Sequence, residues 1–211
     1  MLDVHPPHEA AHSWKDFLVH IATITIGLVI ALGLEAGVEA LHHREIVKQA
    51  RENIRRELEQ NEVQAREDAG YVKADYARMQ SNLELERAMG KDRKAISHKT
   101  MQFTFNWDGF SDSAWRSARD SGALTYMPTD EVQLYSDNYI QGEIVNQQAM
   151  EIFTRQADML GPLLMEKDPS EMEAADVHEL MRNTSVTCVR LTELQQLIEQ
   201  LDAQYKRTLH K

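Results

Sequence analysis

An all-α fold is predicted for this chain: one N-terminal transmembrane helix continuing into a long amphipathic stalk, and an antiparallel helical bundle. Three observations predict it. The eighteen-residue run from Phe17 to Leu34, FLVHIATITIGLVIALGL, contains no Asp, Glu, Lys or Arg. At 1.5 Å per residue it covers about 27 Å, close to the ~30 Å hydrocarbon core of a bilayer. Beyond it, apolar residues recur at three- and four-residue steps through Glu, Gln, Arg and Lys, the period of an amphipathic helix. Five prolines and nine glycines in 211 residues leave few points at which helices must stop.

The elements follow in chain order. Residues 1–16 form a short polar tail with His5, His8 and His12, ending in Trp14 and Lys15 as interface anchors. Residues 17–40 are the transmembrane helix, whose polar residues His20, Glu35 and Glu39 sit near its boundaries, where water and headgroups can solvate them. Two other readings of this run stay open. Ala31-Leu32-Gly33 is a passable signal-peptidase site, although no basic stretch precedes the run, and a buried helix of a soluble domain could also be apolar.

Residues 41–90 form the stalk, with Leu41, Val47, Ala50, Ile54, Leu58, Ala65, Tyr76, Met79 and Leu83 on one stripe. Asn61 falls where the stripe expects an apolar residue and Gly70 follows soon after, so a bend or break is expected between Asp68 and Gly70. Residues 91–211 are the bundle domain packing on the stalk. From Ala95 to Gly109, Met101, Phe103 and Phe105 alternate with polar residues and lead to the turn-forming Asn106-Trp107-Asp108-Gly109, which reads as an aromatic connector covering the core.

Ser111 or Asp112 is placed to cap a short helix with Ala114, Trp115 and Ala118, which Gly122 stops. Thr129 caps a long helix opened by Asp130 and Glu131. It carries Val132, Tyr135, Tyr139, Ile144, Ala149, Ile152, Phe153 and Leu160 toward the core and ends near Gly161-Pro162 or shortly beyond. Ser170 and Glu173 form a capping box for the last helix, whose seam is Val177, Leu180, Thr184, Cys188, Leu191, Leu194, Ile198, Leu201 and Tyr205. Cys188, the single cysteine, reads as a small buried hydrophobe.

Charge sets the boundaries on function. Thirty-four acids against 23 bases give a net charge of −11, which argues against a nucleic-acid partner. Arg44, Lys48, Arg51, Arg55 and Arg56 follow the span while Lys15 precedes it, so the positive-inside rule puts the long domain in the cytoplasm. Glu39, Glu45, Glu52 and Glu57 interleave with those bases and leave the extracytoplasmic side open. Gly33 and Gly37, with Gly27 and Ala31, repeat the small-x-x-x-small spacing that lets helices approach closely in lipid, and are the candidate helix-association residues.

No phosphate loop, H-E-x-x-H, paired cysteines or G-x-S-x-G elbow appears, so a non-catalytic protein without a cofactor is expected. His5, His8 and His12, or His42 and His43 beside Glu39, have metal-ligand chemistry. Pro6 and Pro7 prevent a preformed helix at the first group, adjacent histidines on a helix point about 100° apart, and weakly basic interfacial residues are the preferred reading. Two classes of function remain. One is a membrane-anchored interaction or scaffold protein whose partners are the bilayer and a second copy or another envelope protein. The alternative is a single-pass sensor binding a small ligand near Trp107, Trp115, Tyr126 and Tyr135, although aromatics at helical spacing more often form core.

The stretch HPPHEAAHSWKDFLVHIATITIGLVIALGLEAGVEALHHR resembles the N-terminus of a group of uncharacterised bacterial single-pass membrane proteins. SDSAWRSARDSGALTYMPTDEVQLYSDNY is similar to the W-x(n)-SG-x-L element those proteins share. The two stretches cover roughly a third of the chain. The resemblance implies a bacterial envelope protein with one span and a helical domain, and brings no activity or ligand with it; the inner membrane is the expected location.

Overall fold

The computed structural model describes residues 14–92, 100–165 and 171–210. Among these residues lie four α-helices, α1 (Trp14–Lys91), α2 (Ser113–Asp120), α3 (Thr129–Met165) and α4 (Ala174–Leu209), a 3-10 turn at Ala123–Tyr126, and no strand. The chain divides into two compact units, Met1–Lys48 and Gln49–Lys211. The histidines of the N-terminal tail and Ser170 of the expected capping box lie outside the described residues.

In the first unit the helix buries none of its apolar stretch: Val19, Ile26 and Leu34 are 65%, 61% and 68% exposed. Its hydroxyls are satisfied locally, Thr23 donating to the Val19 carbonyl and Thr25 to the Ile21 carbonyl, both at 2.9 Å. Trp14 stacks on Phe17 with ring centroids 5.4 Å apart. Leu41, expected on the buried stripe, is exposed.

In the second unit three helices present buried columns with strict three-four alternation. On α1 the column runs Ile54, Leu58, Asn61, Ala65, Asp68, Val72, Asp75, Met79, Asn82, Glu86 and Met89. On α3 it is Asn138, Gly142, Val145, Ala149, Ile152, Gln156 and Met159. On α4 it is Val177, Leu180, Thr184, Thr187, Leu191, Leu194, Ile198, Leu201, Tyr205 and Thr208. This seven-residue period is the pattern by which long helices keep one seam in contact. Gly142 has a packing role: a Cβ there would lie 3.2 Å from the Tyr205 hydroxyl.

Several expectations are corrected. No break occurs between Asp68 and Gly70, because α1 is helical through Lys91 and the polar residues that suggested a break keep the register of the buried column. On α3, Ala149 and Ile152 are buried as expected, but Ile144 and Phe153 are exposed and Val145 is buried, since the true column contains small and polar members that hide it in the sequence. On α4, Thr187 takes the column position and Cys188, one residue on, is only half-buried.

Element boundaries also shift. Helix α4 begins at Ala174, with Glu173 as its N-cap and the Glu173 N–H donating to Asp176 Oδ2 at 3.2 Å. Thr129 is the first residue of α3 rather than its cap, and α3 passes through Gly161 and Pro162 to Met165. Gly122 does follow α2 as a left-handed residue with φ of 76°.

Candidate functional site

Four polar residues seven apart, Asn61, Asp68, Asp75 and Asn82, interrupt the apolar column of α1 between Ile54 and Met89. They are 3%, 0%, 0% and 2% exposed. A buried polar group without a partner costs free energy, so their bonds decide what they do. All four face the extended segment from Thr100 to Asp112, a strap running along α1 in the opposite chain direction. Asn82 holds Gln102, Asp75 holds Asn106, Asp68 holds Asp108 and Gly109, and Asn61 holds Ser111.

The chemistry of each rung follows from its side chain. An asparagine amide, like a peptide group, presents both an N–H donor and a carbonyl acceptor. Asn61 therefore donates to the Ser111 carbonyl at 2.8 Å and accepts the Ser111 N–H at 3.0 Å, and Asn82 brackets Gln102 at 2.8 and 3.0 Å. From α3, Asn146 brackets Phe110 in the same way at 3.0 and 3.1 Å. A carboxylate only accepts, so Asp68 takes two N–H groups, from Asp108 at 3.3 Å and Gly109 at 3.1 Å. Burial pushes the Asp68 carboxyl above its ordinary range, against the bonds from Gln64, Asp108 and Gly109. Asp75 accepts the Asn106 N–H at 3.3 Å and pairs with Arg78.

These rungs give the strap what a neighbouring strand would otherwise supply. A peptide lying against a helix cannot share that helix's own backbone bonds, so its N–H and C=O groups need side-chain partners. The strap's side chains alternate, with Met101, Phe103, Phe105 and Trp107 half-buried and the residues between them exposed. The expected aromatic cover is present, held by its backbone. Gly109 is required within it: φ is 77°, and a Cβ would meet Asn146 Oδ1 at 2.7 Å and Trp107 Nε1 at 2.9 Å.

Where the strap meets α2, Glu57 gathers three donors on a 7% exposed carboxylate. They are the Ser111 hydroxyl at 2.7 Å, the Ala114 N–H at 3.0 Å and the Tyr139 hydroxyl at 2.8 Å. Asp112, the N-cap of α2, makes no side-chain capping bond. Glu57 takes over that role from α1, placing negative charge at the positive end of the short helix. Burial and the bond to Glu57 push the Tyr139 phenol well above its ordinary pKa, so its proton stays on the phenol.

The four aromatic residues proposed as a ligand site do not converge. Trp107 packs between Phe105 and Phe110, with centroids 6.5 and 5.7 Å away. Trp115 stacks on Tyr139 at 5.3 Å. Tyr135 donates to Glu131 at 3.3 Å beside the Arg51–Glu131 pair, and Tyr126 is 50% exposed on the 3-10 turn. A cleft of about 270 Å³ opens among α2, α3, the strap and Tyr205, and of the four Trp115 is the one that lines it. That volume lies just under the range of about 300–1,000 Å³ usual for small-molecule sites.

The candidate association residues are unpacked: among the described residues nothing beyond the local helix lies within 4 Å of a Cβ placed on Gly27, Gly33 or Gly37, and Ala31 is exposed. At about 100° per residue the Gly27–Ala31 and Gly33–Gly37 pairs point about 120° apart, so they form two small patches rather than one stripe. Among the described residues no group of three His, Cys, Asp or Glu could hold a metal ion. Glu39 lies 3.8 Å from His43.

The residues that sequence reasoning missed are Glu57, Asp68, Asp75, Asn82 and Glu86, together with the role of Asn61. Their signal was a seven-residue polar period in phase with Ile54 and Met89, visible once Asn61 is read as a member of the column rather than a fault in it. Neither a family model, nor a curated protein, nor a solved structure matches this chain.

Proposed function

We propose that this chain is a non-catalytic, membrane-anchored helical scaffold or interaction protein of a bacterial inner membrane, crossing it once through Phe17–Leu34. The observation that carries the reading is an eighteen-residue apolar window in α1, none of which is buried. In a soluble core helix such a window would be covered, and leaving it in water costs roughly 25 cal/mol per Å² of apolar surface. The continuity of α1 from Trp14 to Lys91 makes the same helix both anchor and part of the folded unit, which suits a tethered domain better than a cleaved leader.

In this reading the second unit is an antiparallel bundle. Support comes from the pairing of Arg55 with the Leu209 carbonyl and Glu86 with Thr184 between α1 and α4, and of Asn138 with Thr208 and Met159 with Thr184 between α3 and α4. The basic cluster Arg44, Lys48, Arg51, Arg55 and Arg56 favours a cytoplasmic domain. Its partners are the bilayer and a second copy or another envelope protein.

The test combines carbonate extraction with topology reporters fused after Lys211 and protease access. Retention in the membrane pellet with a protease-shielded domain in sealed spheroplasts is the expected result. Release into the carbonate supernatant overturns the anchor, and protease digestion of the domain in intact spheroplasts overturns its side. A second reading, a small-ligand sensor, is favoured by the cleft under the Trp115–Tyr139 stack. A ligand that raises the melting temperature of the full chain but not of Trp115→Ala supports it.

A further inference from the structure

Glu57, Asp68, Asp75 and Glu86 place four carboxylates on the buried face of α1, each 7% exposed or less. Three of them are met by several donors. Glu57 has a hydroxyl, a phenol and a backbone N–H, Asp68 has an amide and two backbone N–H groups, and Asp75 has a guanidinium and a backbone N–H.

Glu86 is different. It is 0% exposed, and its Oε1 accepts one bond, from the Thr184 hydroxyl of α4 at 2.7 Å. Its Oε2 is buried with no hydrogen-bond partner. Among the described residues, the side chains around Thr184 have other partners. Thr187 donates to its own helix at the Asn183 carbonyl, and the Met159 sulfur of α3 lies 3.7 Å from the Thr184 hydroxyl.

Among the described residues, two charged or titratable groups act on Glu86. On α1 it is Arg87, whose charge favours the ionised form. On α4 it is the Cys188 thiol, which burial and the Glu86 charge both push up. From α3 the neutral Met159 sulfur meets the same Thr184 hydroxyl. A carboxylate with one hydroxyl donor in such surroundings is poorly compensated, whereas a neutral carboxylic acid is readily accommodated. Burial outweighs the Thr184 bond and the Arg87 charge, and the Glu86 carboxyl is pushed up to about 7.

We propose that Glu86 is a proton-operated switch on the contact between α1 and α4: as a neutral acid it keeps the contact at Thr184 closed, and as a carboxylate it opens that contact and draws water to Oε2. The proposal does not depend on whether α1 crosses a membrane. The ligand is the proton, and the moving part is the segment of α4 around Thr184 and Cys188.

The sign follows from linkage. The acid is weaker in the folded chain than its ordinary value of 4.5, so the folded state holds its proton longer than the unfolded state. Stability from this site is fully present below 4.5, falls as pH rises toward 7, and is level above that. The whole change corresponds to an unfolding constant altered on the order of a hundredfold.

The experiment uses the full chain in detergent micelles, as wild type, Glu86→Gln and Thr184→Val. Hydrogen exchange of the Thr184–Cys188 amides, corrected for intrinsic base catalysis, is followed from pH 5.5 to 8.5. Protection in the wild type is expected to fall about tenfold between pH 6 and 8, and to stay level in Glu86→Gln. Equal pH dependence in the two proteins, or a level wild type, overturns the switch. Thr184→Val removes the one donor that favours the carboxylate, so its transition should move to higher pH, and an unmoved transition also overturns it. Should Glu86→Gln fail to fold, carboxyl-carbon NMR of the wild type decides directly. A Glu86 midpoint near 7 supports the proposal and one below 5 ends it.

Discussion

The Tyr139 hydroxyl of α3 donates to Glu57 Oε1 of α1 at 2.8 Å, and the same carboxylate holds Ser111 at the end of the strap and the first turn of α2. One buried acid thus ties two long helices, a short helix and an extended segment. Tyr139→Phe removes one of its three donors and is expected to destabilise by about 1.5–3 kcal/mol, the range for a bond to a charged group. Glu57→Ala leaves three donors orphaned and should cost more. Urea unfolding of both variants and the double mutant should give a coupling above about 0.5 kcal/mol, and additivity would mean the bond contributes little.

The raised phenol pKa of Tyr139 adds a pH dependence at the alkaline end. A tyrosine that ionises less readily folded than unfolded stabilises fully below its unfolded value, and that stability is lost as pH rises past about 10. The wild type should lose stability above that pH more steeply than Tyr139→Phe. Parallel curves for the two would contradict the assignment.

Asp68→Asn tests the ladder with little change of shape. An amide offers one acceptor where Asp108 and Gly109 both require one, so one backbone N–H is left facing an NH2 group. About 1–3 kcal/mol should be lost. Amide exchange at Gly109 should quicken well before exchange in the middle of α4, which a general loss of stability would not produce.

Two glycines with nearly equal φ separate conformational strain from collision. Gly122 at φ 76° has nothing among the described residues within 4 Å of an added Cβ, so Gly122→Ala should cost about 1–2 kcal/mol for the left-handed backbone alone. Gly109→Ala adds contacts at 2.7 and 2.9 Å to the same backbone penalty and should cost at least about 1 kcal/mol more than Gly122→Ala. Similar melting temperatures for the two variants would mean that Asn146 and Trp107 give way freely.

For the proposed span, Ile26→Arg places a charge near the centre of the apolar run, at an insertion penalty of about 2.5–3.5 kcal/mol. The expected result is a marked fall in the membrane-extracted fraction, with Ile26→Val unchanged. Equal membrane fractions for all three proteins would contradict a span at this position.

Much of the helical architecture was legible in the residues themselves. The α4 seam from Val177 to Tyr205 is apolar at nearly every step, so its period identifies both helix and face. Gly122 after α2 and the acids opening α3 are local signals that need no distant partner. Misreadings arose where the column changes chemistry: Val145 shares it with Gly142, Asn138 and Gln156, so Ile144 and Phe153 looked like core residues beside the correctly placed Ala149 and Ile152.

The sequence by itself determined helix content, the apolar run Phe17–Leu34 and most of the α4 seam, because propensity, hydropathy and periodicity are properties of neighbouring residues. Only the tertiary structure decided that Asn61, Asp68, Asp75 and Asn82 continue the column of α1 instead of breaking it. A polar residue is tolerable in a core only if a partner answers it, and the partners here lie 20 to 50 positions away in the chain, on the backbone of an extended strap. The same reasoning separates Glu86 from the other buried acids: its residue type is no different from that of Glu57, and only packing shows that one oxygen has nothing to bind.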